Sequence, residues 1–74
     1  MLEQLTDIFL DYVDIEPTDV KPESYFSQDL GFNSFDFMSM LSSVEEEFGV
    51  KIPEAKHAEL FTVCDLITYI EQQK

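Results

Sequence analysis

Residues 33–49 read NSFDFMSMLSSVEEEFG and carry the strongest helix signals in the chain, one set at each end. Asn33 is a favourable N-cap, and Asp36 three positions later completes a pattern like a capping box. Gly49 suits the position after a helix end, because glycine adopts the left-handed conformation at little steric cost. Between these signals, apolar residues recur at helical spacing at Phe37, Met40, Leu41, Val44 and Phe48. The stretch predicts a helix that begins at Asn33 or Ser34 and ends near Phe48.

Three further segments carry helix signals. Apolar spacing predicts a first helix from about Glu3 to Asp14. Pro53 suits the first position of a short helix that runs to about Leu60. Thr62 and Asp65 have the spacing of a capping box and predict the start of a last helix. The inward residues of that helix are Val63, Leu66, Ile67 and Ile70.

The connection from Glu16 to Phe32 is long and lacks clear periodicity, with a short helical turn expected near Glu23 to Phe26. Four of its apolar residues are expected to pin it to the core, namely Val20, Tyr25, Phe26 and Leu30. Together these elements predict an all-α fold: a small antiparallel four-helix bundle with one short helix and a long first loop. At this length, residues 1–74 are expected to form a single domain.

The charge balance narrows the classes of partner. Sixteen acidic residues against four Lys and no Arg give a formal net charge of −12. Such a chain is not expected to bind nucleic acid or anionic membrane surfaces, because both present negative charge to the protein. Membrane insertion is not expected either, because no stretch could span a bilayer. It is suited to partners with basic patches, which opposite charge attracts. The alternative interpretation is that the acidity serves solubility alone.

The remaining reactive residues give no catalytic or metal site. Cys64 is the only cysteine, and its apolar neighbours Val63 and Leu66 suggest a buried structural thiol. His57 has no second histidine or acidic cluster at metal-site spacing, so a surface histidine is expected. Without a signal peptide or a membrane-spanning stretch, the chain is expected to be cytoplasmic.

Ser34 follows the segment Asp29-Leu30-Gly31-Phe32-Asn33, at the predicted start of a helix where an anionic group is favoured. This segment resembles the modification site of acyl carrier proteins. The resemblance continues through Val44-Glu45-Glu46-Glu47-Phe48, Ile52-Pro53-Glu54 and Thr62-Val63. It implies that Ser34 carries 4′-phosphopantetheine, donated by coenzyme A through a phosphopantetheinyl transferase. It also implies a non-catalytic carrier that holds acyl groups as thioesters on the thiol of that arm.

The resemblance assigns roles to residues near Ser34. Asp36 is expected to assist the transfer, although stabilisation of the helix N-terminus is the simpler role. Phe35, Met38, Glu45 and Glu46 are expected to dock acyl-loading and acyl-processing enzymes that present basic patches. The simpler interpretations are loop packing for Phe35 and Met38, and a solvated face for the two acids. The carrier is expected to be a monomer.

Three positions depart from the family pattern. Asn33 stands where acyl carriers generally have Asp, Phe35 where Leu is usual, and Ser39 where fatty-acid carriers typically have Glu. These changes remove two negative charges and add an aromatic ring, which favours a specialised pathway such as polyketide synthesis over housekeeping fatty-acid synthesis. A peptidyl or aminoacyl carrier and an unmodified acidic interaction module remain as alternatives.

Overall fold

Four α-helices form the bundle in the computed structural model, which describes residues 1–73. They are α1 (Leu2–Phe9), α2 (Ser34–Phe48), α3 (Glu54–His57) and α4 (Val63–Gln73), with a short 3₁₀ turn at Pro17–Asp19. The predicted all-α bundle with one short helix and a long first loop is confirmed. Within residues 1–73, none of the helices has the length and apolar character needed to cross a membrane.

Helix α2 has the predicted bounds because both of its ends are fixed locally. The side-chain Oδ1 of Asn33 accepts the backbone N–H of Asp36 at 2.7 Å. At the other end Gly49 has a φ of 66°, a conformation that a residue with a side chain rarely adopts. The buried stripe consists of Met40, Leu41 and Val44, with Phe37 and Phe48 partly buried at its ends.

Helix α1 is shorter than the predicted span from Glu3 to Asp14, because it ends at Phe9. The N–H of Tyr12 bonds the carbonyl of Phe9 at 3.0 Å, so the chain tightens into turns after the helix. Acidic residues at 11 and 14 would also lie at the negative end of a longer helix dipole, which is unfavourable. The turns carry the Tyr12 hydroxyl to 2.6 Å from Ser43 Oγ on α2.

The long connection does not contain the helical turn expected near Glu23 to Phe26. Residue 25 instead forms an isolated antiparallel bridge with Thr62, just before α4. The N–H of Phe26 donates to the carbonyl of Phe61, and the N–H of Val63 donates to the carbonyl of Ser24, both at 3.0 Å. This pairing takes up backbone groups that a helical turn would have used locally, and it fixes the loop against α4.

Aromatic rings fill the core between the first loop, α1 and α2. Phe9, Phe26 and Phe32 pack edge to face, with ring centroids 5.6 to 5.9 Å apart. Val20 and Leu30 are buried as predicted, whereas Tyr25 keeps 46% of its surface exposed. The loop is therefore pinned by three of the four expected residues.

The last two helices show one correction each. Helix α3 covers only Glu54–His57, with Pro53 as its N-cap, and turns lead on to Leu60. The predicted buried thiol of Cys64 is wrong, because that residue is exposed. Val63, Leu66 and Ile70 form the buried stripe of α4, and position 64 falls outside it.

The N-terminus of α4 has the predicted capping box. The N–H of Asp65 donates to Thr62 Oγ1 at 3.2 Å, and the N–H of Thr62 donates to Asp65 Oδ2 at 3.1 Å. These reciprocal bonds satisfy donors that the helix start would otherwise leave unpaired. They therefore set the register at which the chain enters α4.

Candidate functional site

Ser34 is the first residue of α2, and it is exposed. Its neighbour Asn33 supplies the capping oxygen, so the Ser34 hydroxyl is not needed to close the helix end. Gly31, with a φ of 79°, lets the chain turn out of the buried loop just before the helix. The free N–H groups and positive dipole end of a 15-residue helix make this position favourable for an anionic substituent.

A surface groove of about 460 Å³ lies between the first loop, α2, α3 and the connection from α3 to α4, and Ser34 is one of its lining residues. About half of the lining is aromatic, and it includes four small polar residues, Ser34 among them. The lining residues are Tyr25, Phe26, Ser27, Gln28, Phe32, Asn33, Ser34, Phe37, His57, Leu60 and Phe61. None of these eleven residues is acidic, in a chain with sixteen acidic residues.

Two exposed aromatic residues stand in the groove wall, Tyr25 at 46% exposure and Phe61 at 61%. The N–H of Tyr25 donates to Asp29 Oδ2 at 2.8 Å, and the N–H of Phe61 donates to Asp65 Oδ2 at 3.0 Å. The repeated spacing of an aromatic residue and an Asp four positions later is visible in the sequence. Neither Tyr25 nor Phe61 was among the predicted site residues, and this spacing is the signal that could have pointed to them.

The floor of the groove consists of rings that also belong to the core. Phe26 and Phe32 are buried, and the Phe37 ring lies 5.2 Å from that of Phe26. The His57 ring meets Phe37 edge-on at 6.2 Å, so this histidine is half-buried between α3 and α2 and is not fully on the surface as expected. The groove therefore has exposed rings, Tyr25 and Phe61, on its solvent side and packed, buried rings underneath.

The expected docking residues differ in exposure. Phe35 is 77% exposed and Met38 is 50% exposed, and both lie outside the buried stripe of α2. Glu46 is exposed as well. Glu45 is only half-buried, and its Oε2 accepts the backbone N–H of Ile52 at 2.8 Å. No spacing or motif in the sequence indicates that this carboxylate has a partner within the chain.

Asp36 lies in the first turn of α2 and is half-buried. Its carboxylate therefore lies at the positive end of the helix dipole, where a negative charge is favourable. Over residues 1–73 there is no group of three or more His, Cys, Asp and Glu side chains placed to hold a metal ion. What the site offers chemically is an accessible hydroxyl in a groove that is lined largely by aromatic rings and by no acidic residue.

The chain matches the family model described as "Phosphopantetheine attachment site" over residues 3–70. Three curated relatives are each named "Acyl carrier protein". The protein of Wolinella succinogenes is 31% identical over 74 residues, which cover 100% of this chain and 97% of the relative. That of Campylobacter hominis is 32% identical over 71 residues, covering 96% and 90% respectively. That of Thermosynechococcus vestitus is 36% identical over 73 residues, covering 99% and 90%.

The family match includes all of α2 and α3, most of α1 and α4, the first loop, and Ser34 with its surroundings. The relatives align with this chain over nearly their whole length as well, so the likeness is not confined to the segment around the serine. The chain belongs to the acyl carrier protein family, whose members are phosphopantetheine-bearing carriers and not enzymes.

Proposed function

We propose that Ser34 is the residue that carries 4′-phosphopantetheine and that this chain, over residues 1–74, is a carrier domain of a specialised biosynthetic pathway. The observation that most supports Ser34 as the attachment site is that two different residues cap α2 and present the free hydroxyl. Asn33 caps the helix, while Ser34 presents an exposed hydroxyl at the positive end of the dipole. The residues present therefore fit a covalently attached phosphodiester.

The attachment is a group transfer from coenzyme A. A bond forms between Ser34 Oγ and the phosphorus that bears pantetheine, and the phosphoanhydride bond breaks to release adenosine 3′,5′-bisphosphate. The hydroxyl proton passes to the phosphopantetheinyl transferase, which supplies the base. The arm, when bound, supplies a thiol that holds an acyl group as a thioester. We propose that Asp36, in the same helical turn, assists the transfer.

We further propose that partner enzymes dock on the outer face of α2 through Phe35, Met38, Glu45 and Glu46. The exposure of Phe35 and Met38 supports an apolar contact, and Glu46 offers charge to basic patches. Because Glu45 is half-buried and one of its oxygens is engaged by the Ile52 N–H, it is less accessible to a partner than Glu46. A monomeric state and a cytoplasmic location stay predictions.

The pathway assignment rests on three side chains. Asn33 and Ser39 carry no charge, and Phe35 adds a prominent aromatic surface beside Ser34. Enzymes that serve this carrier would need a surface that accommodates the ring, which favours dedicated partners. Polyketide synthesis or another specialised pathway accounts for these features better than housekeeping fatty-acid synthesis.

Intact-mass spectrometry tests the attachment. The chain is incubated with coenzyme A and a broad-specificity transferase, alongside Ser34→Ala and the control Ser42→Ala, which removes another exposed serine of α2. Wild type and the Ser42→Ala variant should gain one phosphopantetheinyl group, and Ser34→Ala none. Labelling of Ser34→Ala would contradict the site. Failure of wild type with several transferases would favour the unmodified interaction module.

A further inference from the structure

We infer that the groove beside Ser34 holds a flat aromatic or conjugated acyl group carried on the arm of Ser34 itself, in preference to a saturated chain of equal carbon number. The inference rests on the proposed function of Ser34 and adds the chemical class of the cargo. Ser34 is itself one of the residues that line the groove. An acyl group on its arm is therefore tethered beside this surface and reaches it at a high effective concentration.

The chemistry of the walls favours planar rings. Tyr25 and Phe61 stand exposed in the wall, and Phe37 contributes to the floor. Aromatic side chains gain energy from edge-to-face and offset-stacked neighbours beyond the burial of area alone. A flat conjugated group makes such contacts with both exposed rings, whereas a saturated chain gains only from the area that it covers.

The floor limits how deep a cargo can go. Phe26 and Phe32 are at most 5% exposed, and the ring centroids of Phe26 and Phe37 are 5.2 Å apart. To leave solvent, a saturated chain would have to displace one of these packed rings. Such a displacement is unfavourable, because it disrupts a close-packed core. In the open groove it would lie partly wet while losing the freedom of its rotatable bonds. A rigid conjugated group loses little such freedom.

Backbone hydrogen bonds also hold the two exposed aromatic residues of the groove wall in position. The aromatic residues 25 and 61 each have their backbone N–H tied to an Asp carboxylate, and the bridge between residues 25 and 62 joins their segments. The lining also contains Ser27, Gln28 and Asn33, whose polar groups suit the amides of the arm or a carbonyl of the cargo. The absence of carboxylates from the lining suits an uncharged cargo next to an anionic phosphodiester.

The test compares two acyl groups of nine carbons each, cinnamoyl and nonanoyl, loaded from their coenzyme A thioesters by the transferase. Loading is verified first by intact mass. The rate of thioester cleavage by hydroxylamine is then measured for each and divided by the rate of the same acyl group on free pantetheine. We expect cleavage of the cinnamoyl thioester to be slowed by about threefold more than that of nonanoyl, as one aromatic contact would give. Nuclear Overhauser contacts should join the cinnamoyl ring to Leu60 and Phe61.

Variants locate the effect. Phe61→Ala and Tyr25→Ala each remove an exposed ring, and each should bring the protection of cinnamoyl down to that of nonanoyl. The control Leu10→Ala removes an exposed apolar side chain that does not line the groove, and it should keep the difference. Circular dichroism confirms that all three variants are folded. Equal protection of the two acyl groups in wild type, or an unchanged difference in both aromatic variants, would overturn the inference and leave the carrier assignment intact. A lack of any loading would instead overturn the proposed function.

Discussion

The carboxylate of Glu45 accepts the backbone N–H of Ile52 at 2.8 Å, and this bond ties α2 to the segment that leads into α3. Glu45 thus holds the fold together at a position where the family resemblance places a docking acid. The structural role of Glu45 can be separated from a docking role by comparison with Glu46, the neighbouring acid, which is exposed.

Replacement of Glu45 by Ala should lower the free energy of unfolding by about 1–2 kcal/mol, because a hydrogen bond to a charged group is lost and the Ile52 N–H is left without that acceptor. The control Glu46→Ala should change it by less than about 0.5 kcal/mol, as is usual for exposed positions. Urea titrations followed by circular dichroism give both values. Equal effects of the two substitutions would show that the Glu45 bond contributes nothing to stability.

Charge reversal at the docking face should slow loading by the transferase. We expect Glu46→Lys to reduce kcat/KM by about threefold to tenfold at low salt, since it weakens attraction to a basic patch. Glu71→Lys makes the same charge change at an exposed position of α4 and serves as the control. The difference should shrink as sodium chloride screens the charges. If both variants are slowed alike, overall charge matters and the face of α2 does not.

The capping roles of the two residues at the start of α2 can be told apart by stability. Asn33→Ala should cost about 1 kcal/mol, whereas Asn33→Asp should cost only a few tenths, because Asp caps a helix as well as Asn does. Ser34→Ala, one position later, should change the stability by less than about 0.5 kcal/mol. Thermal and urea unfolding measure all three. A larger loss for Ser34→Ala than for Asn33→Ala would mean that the serine is the cap after all.

Net charge should make the bundle sensitive to salt. The formal charge is −12, and the ion pair between Lys56 and Glu59 is exposed and 3.7 Å long, so it offsets little of the repulsion. Raising sodium chloride from about 10 to 150 mM shortens the screening length from about 30 to 8 Å. We expect Tm to rise by about 5 °C, as roughly 1 kcal/mol of relieved repulsion would give.

Magnesium chloride should raise Tm more per mole than sodium chloride, since a divalent ion screens more strongly and bridges neighbouring carboxylates. The double variant Asp11→Asn with Asp14→Asn removes two negative charges near the end of α1 and should reduce the slope of Tm against salt. Melting curves followed by circular dichroism decide the matter. A Tm that does not change with either salt would show that the carboxylates do not repel one another appreciably.

Sequence reasoning succeeded where the structure is set by neighbouring residues. The bounds of α2 follow from Asn33, Asp36 and Gly49, and the start of α4 follows from Thr62 and Asp65. In each case a side chain or a glycine conformation acts within a few positions of itself. The exposed placement of a serine at the helix start follows from the same local signals.

It failed where distant segments determine the outcome. The span of α1 was overestimated because Tyr12 keeps the apolar spacing of a helix but reaches α2 through a turn. Tyr25 was expected to pin the loop to the core, but it is 46% exposed, because its segment pairs with the segment before α4. The bond from Ile52 to Glu45 likewise spans seven positions with a turn between them.

The bridge between Tyr25 and Thr62 joins positions that lie 37 residues apart along the chain, from 25 to 62. Its formation closes a large loop and is entropically costly, so it depends on the completed fold. The cap of α2, in contrast, needs only the chain from Asn33 to Asp36. Local opening that releases the first loop from α4 would therefore dismantle the groove while leaving the serine on its helix. On warming, a loaded carrier should therefore lose the groove that protects its thioester at a lower temperature than it loses α2, the helix to which the arm is attached.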